Sequence, residues 1–245
     1  TRYDGKLRSH IMHEPNEVVA LMSSRKEIIK DSLSDRAFSI LRESIISLEY
    51  PPGTRFVIDR LAESLSISRT PIREALRELV NQGLVVYDRI CYRVVSLRVE
   101  DVLDIFAIRK ALEVLAAGTA AQRITPAEKG SFKKILDIYS NARSQKSIKD
   151  FEREDQQLHT AVRKLSHNPR LFKLLSSYQD LILFIRSCTL HVALSEKDIE
   201  ATNREHKDIV MAIVEEDSRA AGEAMRRHLE NSEKRTIATM KKAEG

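Results

Sequence analysis

The amino-acid sequence predicts a mainly α-helical protein in two parts: a small helical unit closed by a β-ribbon, then an all-α bundle of six or seven helices. Three observations carry this. Apolar residues recur at helical spacing through most of the chain, interrupted by capping and proline signals. The strand signal is confined to two short β-prone runs, 84–87 and 92–95, just behind a glycine that closes a helix. Only seven glycines and six prolines occur in 245 residues, with 42% hydrophobic and 31% charged, proportions that suit packed amphipathic helices. That length holds two domains with separate cores. The expected division is 1–32 as a tail or extra helix, 33–97 as the ribbon-closed unit and 98–245 as the bundle.

In chain order, the sequence starts without methionine, and Arg8-Ser-His-Ile-Met12 resembles the remnant of an expression tag. Residues 18–29 suit a loosely amphipathic helix. Ser34 opens the next helix, whose apolar positions Phe38, Leu41, Ile45 and Leu48 keep helical spacing. Residues 56–65 form a short apolar-periodic segment, Ser66-Ile-Ser-Arg-Thr-Pro71 a turn, and 72–83 a second helix. Ser68 or Thr70 is placed to cap that helix, with Pro71 near its first turn, where a missing N–H costs nothing. Leu76, Leu79 and Val80 give it an inward face, and Arg69, Arg73 and Arg77, four apart, line the other. Gly83 is placed to stop it in the left-handed conformation. The two β-prone runs follow, with Asp88-Arg-Ile-Cys91 between them. Helix, turn, helix and ribbon read as a winged helix-turn-helix that binds DNA. An arginine row alone is usually a solvated face. Its place on a capped helix after a short turn, with a ribbon behind, makes the difference. The planar guanidinium grips guanine edges bidentately and neutralises phosphate.

Beyond residue 97 the pattern is helical throughout, with helices expected at about 100–122, 126–143, 148–165, 169–193, 197–215 and 217–240. Breaks fall at Thr125-Pro126, Asn168-Pro169 and the caps Ser195 and Asp217. No glycine-rich phosphate loop, nucleophile motif or internal repeat is present.

The net charge of +5 permits a nucleic-acid partner without proving one. Residues 34–97 hold nine arginines and no lysine against eight acids, a net of +1, so position and not bulk charge must supply DNA affinity. Cys91 and Cys188 lack metal-finger spacing, which suits a reduced, cytoplasmic setting. The most apolar run, 181–194, is too short to span a bilayer and contains Arg186 and His191, so no membrane partner is expected.

Polar residues interrupt three of the bundle's apolar stripes. Asp155 sits within Ile148, Phe151, Leu158, Val162 and Leu165, with His159 one turn on. His206 sits within Ile199, Thr202, Ile209 and Ile213, and His228 lies between Met225 and Leu229. Burying such groups unpaired costs several kcal/mol, so they must pair or coordinate. One carboxylate and three imidazoles suit zinc, nickel or another first-row divalent ion, manganese included. On pattern alone, a set of satisfied core histidines is equally open. Arg109 falls on the inward side of its helix with Glu113 one turn later, either as a simple ion pair or as a group that holds a ligand.

The run Leu61-Ala-Glu-Ser-Leu-Ser-Ile-Ser-Arg-Thr-Pro-Ile-Arg-Glu-Ala-Leu-Arg-Glu-Leu-Val-Asn-Gln-Gly-Leu-Val85 resembles the DNA-binding domain of the GntR superfamily of bacterial transcription regulators. Pro51-Pro-Gly-Thr-Arg55 resembles the turn that leads into it. The resemblance implies that Arg69, Thr70 and Arg73 contact operator DNA, helped by Arg55 and Arg77. The family carries a glycine at the wing tip, where this chain has Ile90-Cys91-Tyr92. The bundle resembles the FadR C-terminal (FCD) type of ligand domain, through Ile108-Arg-Lys-Ala-Leu-Glu-Val-Leu-Ala-Ala117, Asp155-Gln-Gln-Leu-His159, Ser166-His-Asn-Pro169, Glu205-His206 and Arg227-His-Leu229. Leu158 replaces an aromatic usual there. The resemblance implies a divalent metal held by Asp155, His159, His206 and His228, and a small carboxylate effector held by Arg109. Arg186 and Asn203 are lesser candidates for the same pocket, while His167 and His191 read as structural.

The expected function is a cytoplasmic, metabolite-responsive transcription regulator, a repressor acting as a homodimer on double-stranded operator DNA. Two-fold operators match two-fold proteins, and one short recognition helix gives little discrimination. A metal-dependent hydrolase or lyase is the rival from another class, although no inward stripe offers a further carboxylate placed as a general base. In a second rival the metal is only structural, or is itself the signal.

Overall fold

The computed structural model describes residues 32–136, 148–193 and 195–244. The expected helix at 18–29, His10 and His13 lie outside them, as do residues 137–143 of the expected second bundle helix and the side chain of His191. Among the described residues, the N-terminal unit comprises α1 (Leu33–Ile46), β1 (Arg55–Phe56), α2 (Ile58–Leu65), α3 (Arg69–Asn81), β2 (Val85–Tyr87) and β3 (Tyr92–Val94). The bundle comprises α4 (Val99–Arg123), α5 (Pro126–Lys133), α6 (Ile148–Leu165), α7 (Pro169–Ser177), α8 (Gln179–Ala193), α9 (Glu196–Val214) and α10 (Ser218–Glu244).

The cap of α1 lies two residues ahead of the expected Ser34. Ser32 is the cap, because its hydroxyl accepts the Asp35 backbone N–H while the Asp35 carboxylate reaches back to the Ser32 backbone, a reciprocal pair unavailable to Ser34. α3 begins at Arg69 with Ser68 in the cap position, and neither Ser68 nor Thr70 makes a capping side-chain bond. Ile72, Ala75, Leu76 and Leu79 bury its inner face, with Val80 at the margin. Gly83 takes φ +75°, the left-handed region open to glycine at no cost, and reverses the chain into β2. The strand order is β1-β3-β2, all antiparallel.

In the bundle, Thr125 and Ser195 form capping boxes with Glu128 and Asp198, and Asn168 caps α7. The expected helix at 169–193 is two, broken at Tyr178. Ser176 and Ser177 precede the break, and the Ser177 hydroxyl bonds the Leu174 carbonyl at 2.7 Å, a local competitor of the helical ladder. Small residues Ala116, Ala117, Ala120 and Ala121 let α4 pack closely on α10 in the bundle core. The two units share one element. Phe184 of α8, 1% exposed, is part of the core built by α1, α3 and the ribbon, with Cys188 packed beside it. Asp180 of the same helix forms an ion pair with Arg42 of α1, and Leu181 lies against Gly83.

Candidate functional site

Two surfaces carry the chemistry. The first is the exposed side of α3. With Ile72, Leu76 and Leu79 held in the core, Arg69, Thr70, Arg73 and Arg77 are all turned to solvent. The Arg69 guanidinium forms a 2.7 Å ion pair with Asp59 of α2, two exposed groups whose pairing is weak and easily exchanged for phosphate. Arg55 of β1 is exposed and stands directly opposite Arg93 of β3, which in turn stands opposite Val86. The ribbon therefore carries two arginines at paired positions, with the Arg93 guanidinium 3.5 Å from Asp88. Arg93 was not among the sequence candidates, since only the register makes it Arg55's neighbour. At the tip, Arg89 takes the left-handed turn position with φ +69°. The Asp88 carboxylate steadies it by accepting the Ile90 and Cys91 backbone N–H groups at 3.0 and 2.9 Å. Those two bonds draw the Asp88 carboxyl down to about 2. An aspartate-capped turn thus does the work that a tip glycine would do.

The second site is polar and lies inside the bundle. Asp155 and His159 come from α6, His206 from α9 and His228 from α10. One ligand atom from each lies within 4.8 Å of the others, and all four residues are buried. Each occupies its place because the apolar neighbours in its stripe face the core: Leu158 and Val162 on α6, Ile209 and Ile213 on α9, Met225 and Leu229 on α10. The Nε2 atoms of His159 and His228 face one another at 3.3 Å. Their other nitrogens are committed: His159 Nδ1 to Glu113, and His228 Nδ1 to Glu205 at 2.9 Å. Asp155 Oδ1 lies 3.4 Å from His206 Nε2, while Oδ2 is held by Arg186 and lies 3.7 Å from His159 Nε2.

The protonation states follow from this enclosure. Burial pushes His228 down to about 3 and lowers His159 as well, so both imidazoles are neutral. Burial alone would raise Asp155 and Glu113. The Arg186 guanidinium and a hydrogen bond from His206 outweigh it for Asp155, as the His159 Nδ1–H and the Arg109 guanidinium do for Glu113, and both stay ionised well below the ordinary carboxylate range. Glu205 is held at about 2 against its own burial by bonds from His228, Arg235 and Asn231. With an ionised carboxylate on each Nδ1, both histidines donate there, and their Nε2 atoms point inward as acceptors, His159's facing the Arg109 guanidinium at 3.3 Å.

Two further carboxylates, Glu113 and Glu205, 1% and 8% exposed, stand behind the histidines. Neither is placed as a base, since both spend their oxygens on histidine and arginine. Glu113 accepts from Arg109 at 2.7 Å and from Arg163 at 3.2 Å. Their signal in the sequence was slight: Glu113 lies one turn from Arg109, and Glu205 immediately precedes His206. Arg109 is buried, with its guanidinium 3.3 Å from His159 Nε2. A cavity of about 240 Å³ opens beside the cluster, touching Asp155, His228 and Arg186. Arg109 is not in its wall. His167 lies apart, paired with Glu128. Among the described residues, no helix is long and apolar enough to cross a membrane.

A solvent-facing arginine helix with a ribbon, set on a helical bundle with an enclosed polar centre, is the architecture of a DNA-binding transcription regulator. Comparison with known proteins agrees in both halves. The pattern of bacterial regulatory proteins of the gntR family matches residues 33–89, and that of the FCD domain matches residues 104–231, more than half the chain. The chain belongs to the GntR family of transcription regulators, in the group with an FCD domain, and is a regulator and not an enzyme. Among its relatives, the HTH-type regulator YdhC of Bacillus subtilis is 31% identical over 194 residues, covering 78% of this chain and 85% of YdhC. The HTH-type transcriptional repressor GlaR of Escherichia coli is 27% identical, over 77% of this chain and 89% of GlaR. The solved structure of E. coli McbR/YncC shares the fold with a TM-score of 0.67 at 20% identity, over 87% of this chain and 99% of that one. A GntR regulator from Rhodococcus sp. RHA1 does so at 0.66 and 20%, over 84% and 97%.

Proposed function

We propose that the bundle holds a divalent metal on Asp155, His159, His206 and His228, and that a small carboxylate binding beside it changes the hold of a homodimer on operator DNA. One observation supports the metal reading above the rest: two neutral imidazoles face each other through unprotonated Nε2 atoms 3.3 Å apart. Lone pairs that close repel, and an ion shared by both relieves them more fully than the Arg109 guanidinium, 3.3 Å from His159 Nε2. The donor set, with a carboxylate behind two of its histidines, is the arrangement that orients imidazoles toward zinc or nickel, with manganese a third candidate. A bound ion of this kind supplies a Lewis-acid anchor for one carboxylate oxygen. Arg186 faces the same cavity and receives the other oxygen on its fork. Arg109, expected from the sequence to hold that carboxylate, adds positive field from behind and keeps Glu113 and His159 in place.

On the other unit, Arg69, Thr70 and Arg73 read the operator, with Arg55, Arg77 and Arg93 on phosphate. We place the protein in the cytoplasm, where its operator is. Its relation to the repressor GlaR supports repression, relieved when the effector binds. Coupling of about 1–3 kcal/mol would change operator affinity roughly 5- to 150-fold.

The test is native mass spectrometry with elemental analysis of protein purified without metal-affinity steps, followed by operator titration with and without chelator and carboxylates. A dimer with one first-row ion per chain, released from its operator by a carboxylate, is expected. Protein devoid of metal would remove the first half of the proposal, and an operator titration unmoved by every carboxylate would remove the second. Chelation that lowers the melting temperature but leaves the carboxylate response intact would favour a purely structural metal.

A further inference from the structure

Arg163 lies on α6 one turn beyond His159 and is buried, 3% exposed. It is neither one of the four cluster residues nor part of the cavity wall. Taking a guanidinium out of water is costly unless good partners replace the water, and here they are thin. Nη2 donates to Glu113 Oε1 at 3.2 Å, an oxygen that Arg109 already holds at 2.7 Å. Nη1 donates to the side-chain oxygen of Gln179, and among the described residues Nε meets no acceptor. An apolar side chain beside Val162 and Leu165 would carry no such cost. Stability alone does not account for this arginine.

Its span does. Glu113 takes the Nδ1–H of His159 on one oxygen and both arginines on the other. Gln179 is the first residue of α8, and the next two residues touch the DNA-binding unit. Asp180 pairs with Arg42 of α1, and Leu181 lies against Gly83 at the close of α3. A hydrogen-bonded route therefore runs from His159 through Glu113, Arg163 and Gln179 to the start of α8. Drawing electron density from one ring nitrogen of a histidine strengthens the N–H at the other as a donor. A carboxylate shared among three donors then divides its hold differently, and Arg163 is the donor that also grips α8. We propose that Arg163 is a positioning residue that carries occupancy of the buried cluster to the start of α8, and so to the operator-reading half. This rests on the metal reading given above and adds its route of regulation.

The experiment takes full-length protein stripped with chelator and then reloaded with zinc. Operator affinity, melting and hydrogen exchange at residues 179–182 are compared between the two forms. Zinc should change operator affinity about fivefold or more and alter exchange at the start of α8. Gln179→Ala cuts the route outside the cluster: zinc affinity should stay within about twofold, while the zinc effect on operator affinity falls about threefold or more. Arg163→Gln should weaken that effect as much, and the double variant no further than either single change. Zinc that binds without moving operator affinity or exchange would overturn the inference and leave the metal site standing. A Gln179→Ala protein that melts lower yet keeps the full zinc effect would also overturn it, since that is the mark of a merely structural contact. Failure to bind zinc would sink both readings. If Arg163→Gln does not fold, Gln179→Ala decides alone.

Discussion

Arg73 stands exposed on the middle of α3, where removing it leaves the helix core untouched. Arg73→Ala should weaken operator binding by about 1–3 kcal/mol and relax preference at one base pair, read by titrating operators changed singly. An equal loss on every sequence would make it a phosphate contact instead. Inside the bundle, Glu205→Gln keeps the volume and removes the charge that fixes the His228 tautomer. Metal affinity should fall about 10- to 100-fold, measured by competition with a chelating dye. These two residues mark what the sequence makes legible at this scale. Asp155, His159, His206 and His228 were visible because each breaks an apolar stripe on its own helix. Glu113, Glu205 and Arg186 were not singled out as their partners, because those partners lie on other helices and only packing brings them together.

Among the elements, helix existence was legible and helix ends less so. Periodicity located the bundle helices, yet the break at Tyr178 has neither glycine nor proline to announce it, and α1 begins where the Ser32–Asp35 pair closes. The wing is the clearest departure from the resemblance, for a glycine-less tip reads as poorly suited to a tight turn. Asp88 explains it, and the explanation has a pH signature. Its carboxyl sits at about 2 against an ordinary 3.8, so the ionised form is favoured by the folded turn. The turn's stabilisation is complete above 3.8 and disappears as pH falls through about 2. Amide resonances of Ile90 and Cys91 should therefore keep their bonded positions at pH 3. A midpoint near 3.8 would contradict the capping bonds.

For the whole molecule, α8 is the element common to the cavity and the DNA-binding unit. One side gives Arg186 and Thr189 to the cavity, and the other gives Phe184 and Asp180 to the DNA-binding unit. The apolar periodicity predicts two separate cores, since nothing in a helical stripe says which neighbour it serves. A shift of α8 on ligand binding has a direct path to α1 and α3. Phe184→Ala should cost about 3–5 kcal/mol of stability and blunt the effector response while operator binding without effector persists, as melting and operator titration would show. An unchanged response would route the coupling elsewhere. The shared phenylalanine also limits how this architecture can be cut and rejoined. A chimera that borrows the operator-reading half must bring a bulky side chain to the same socket, or its grafted half will carry a hole at the seam.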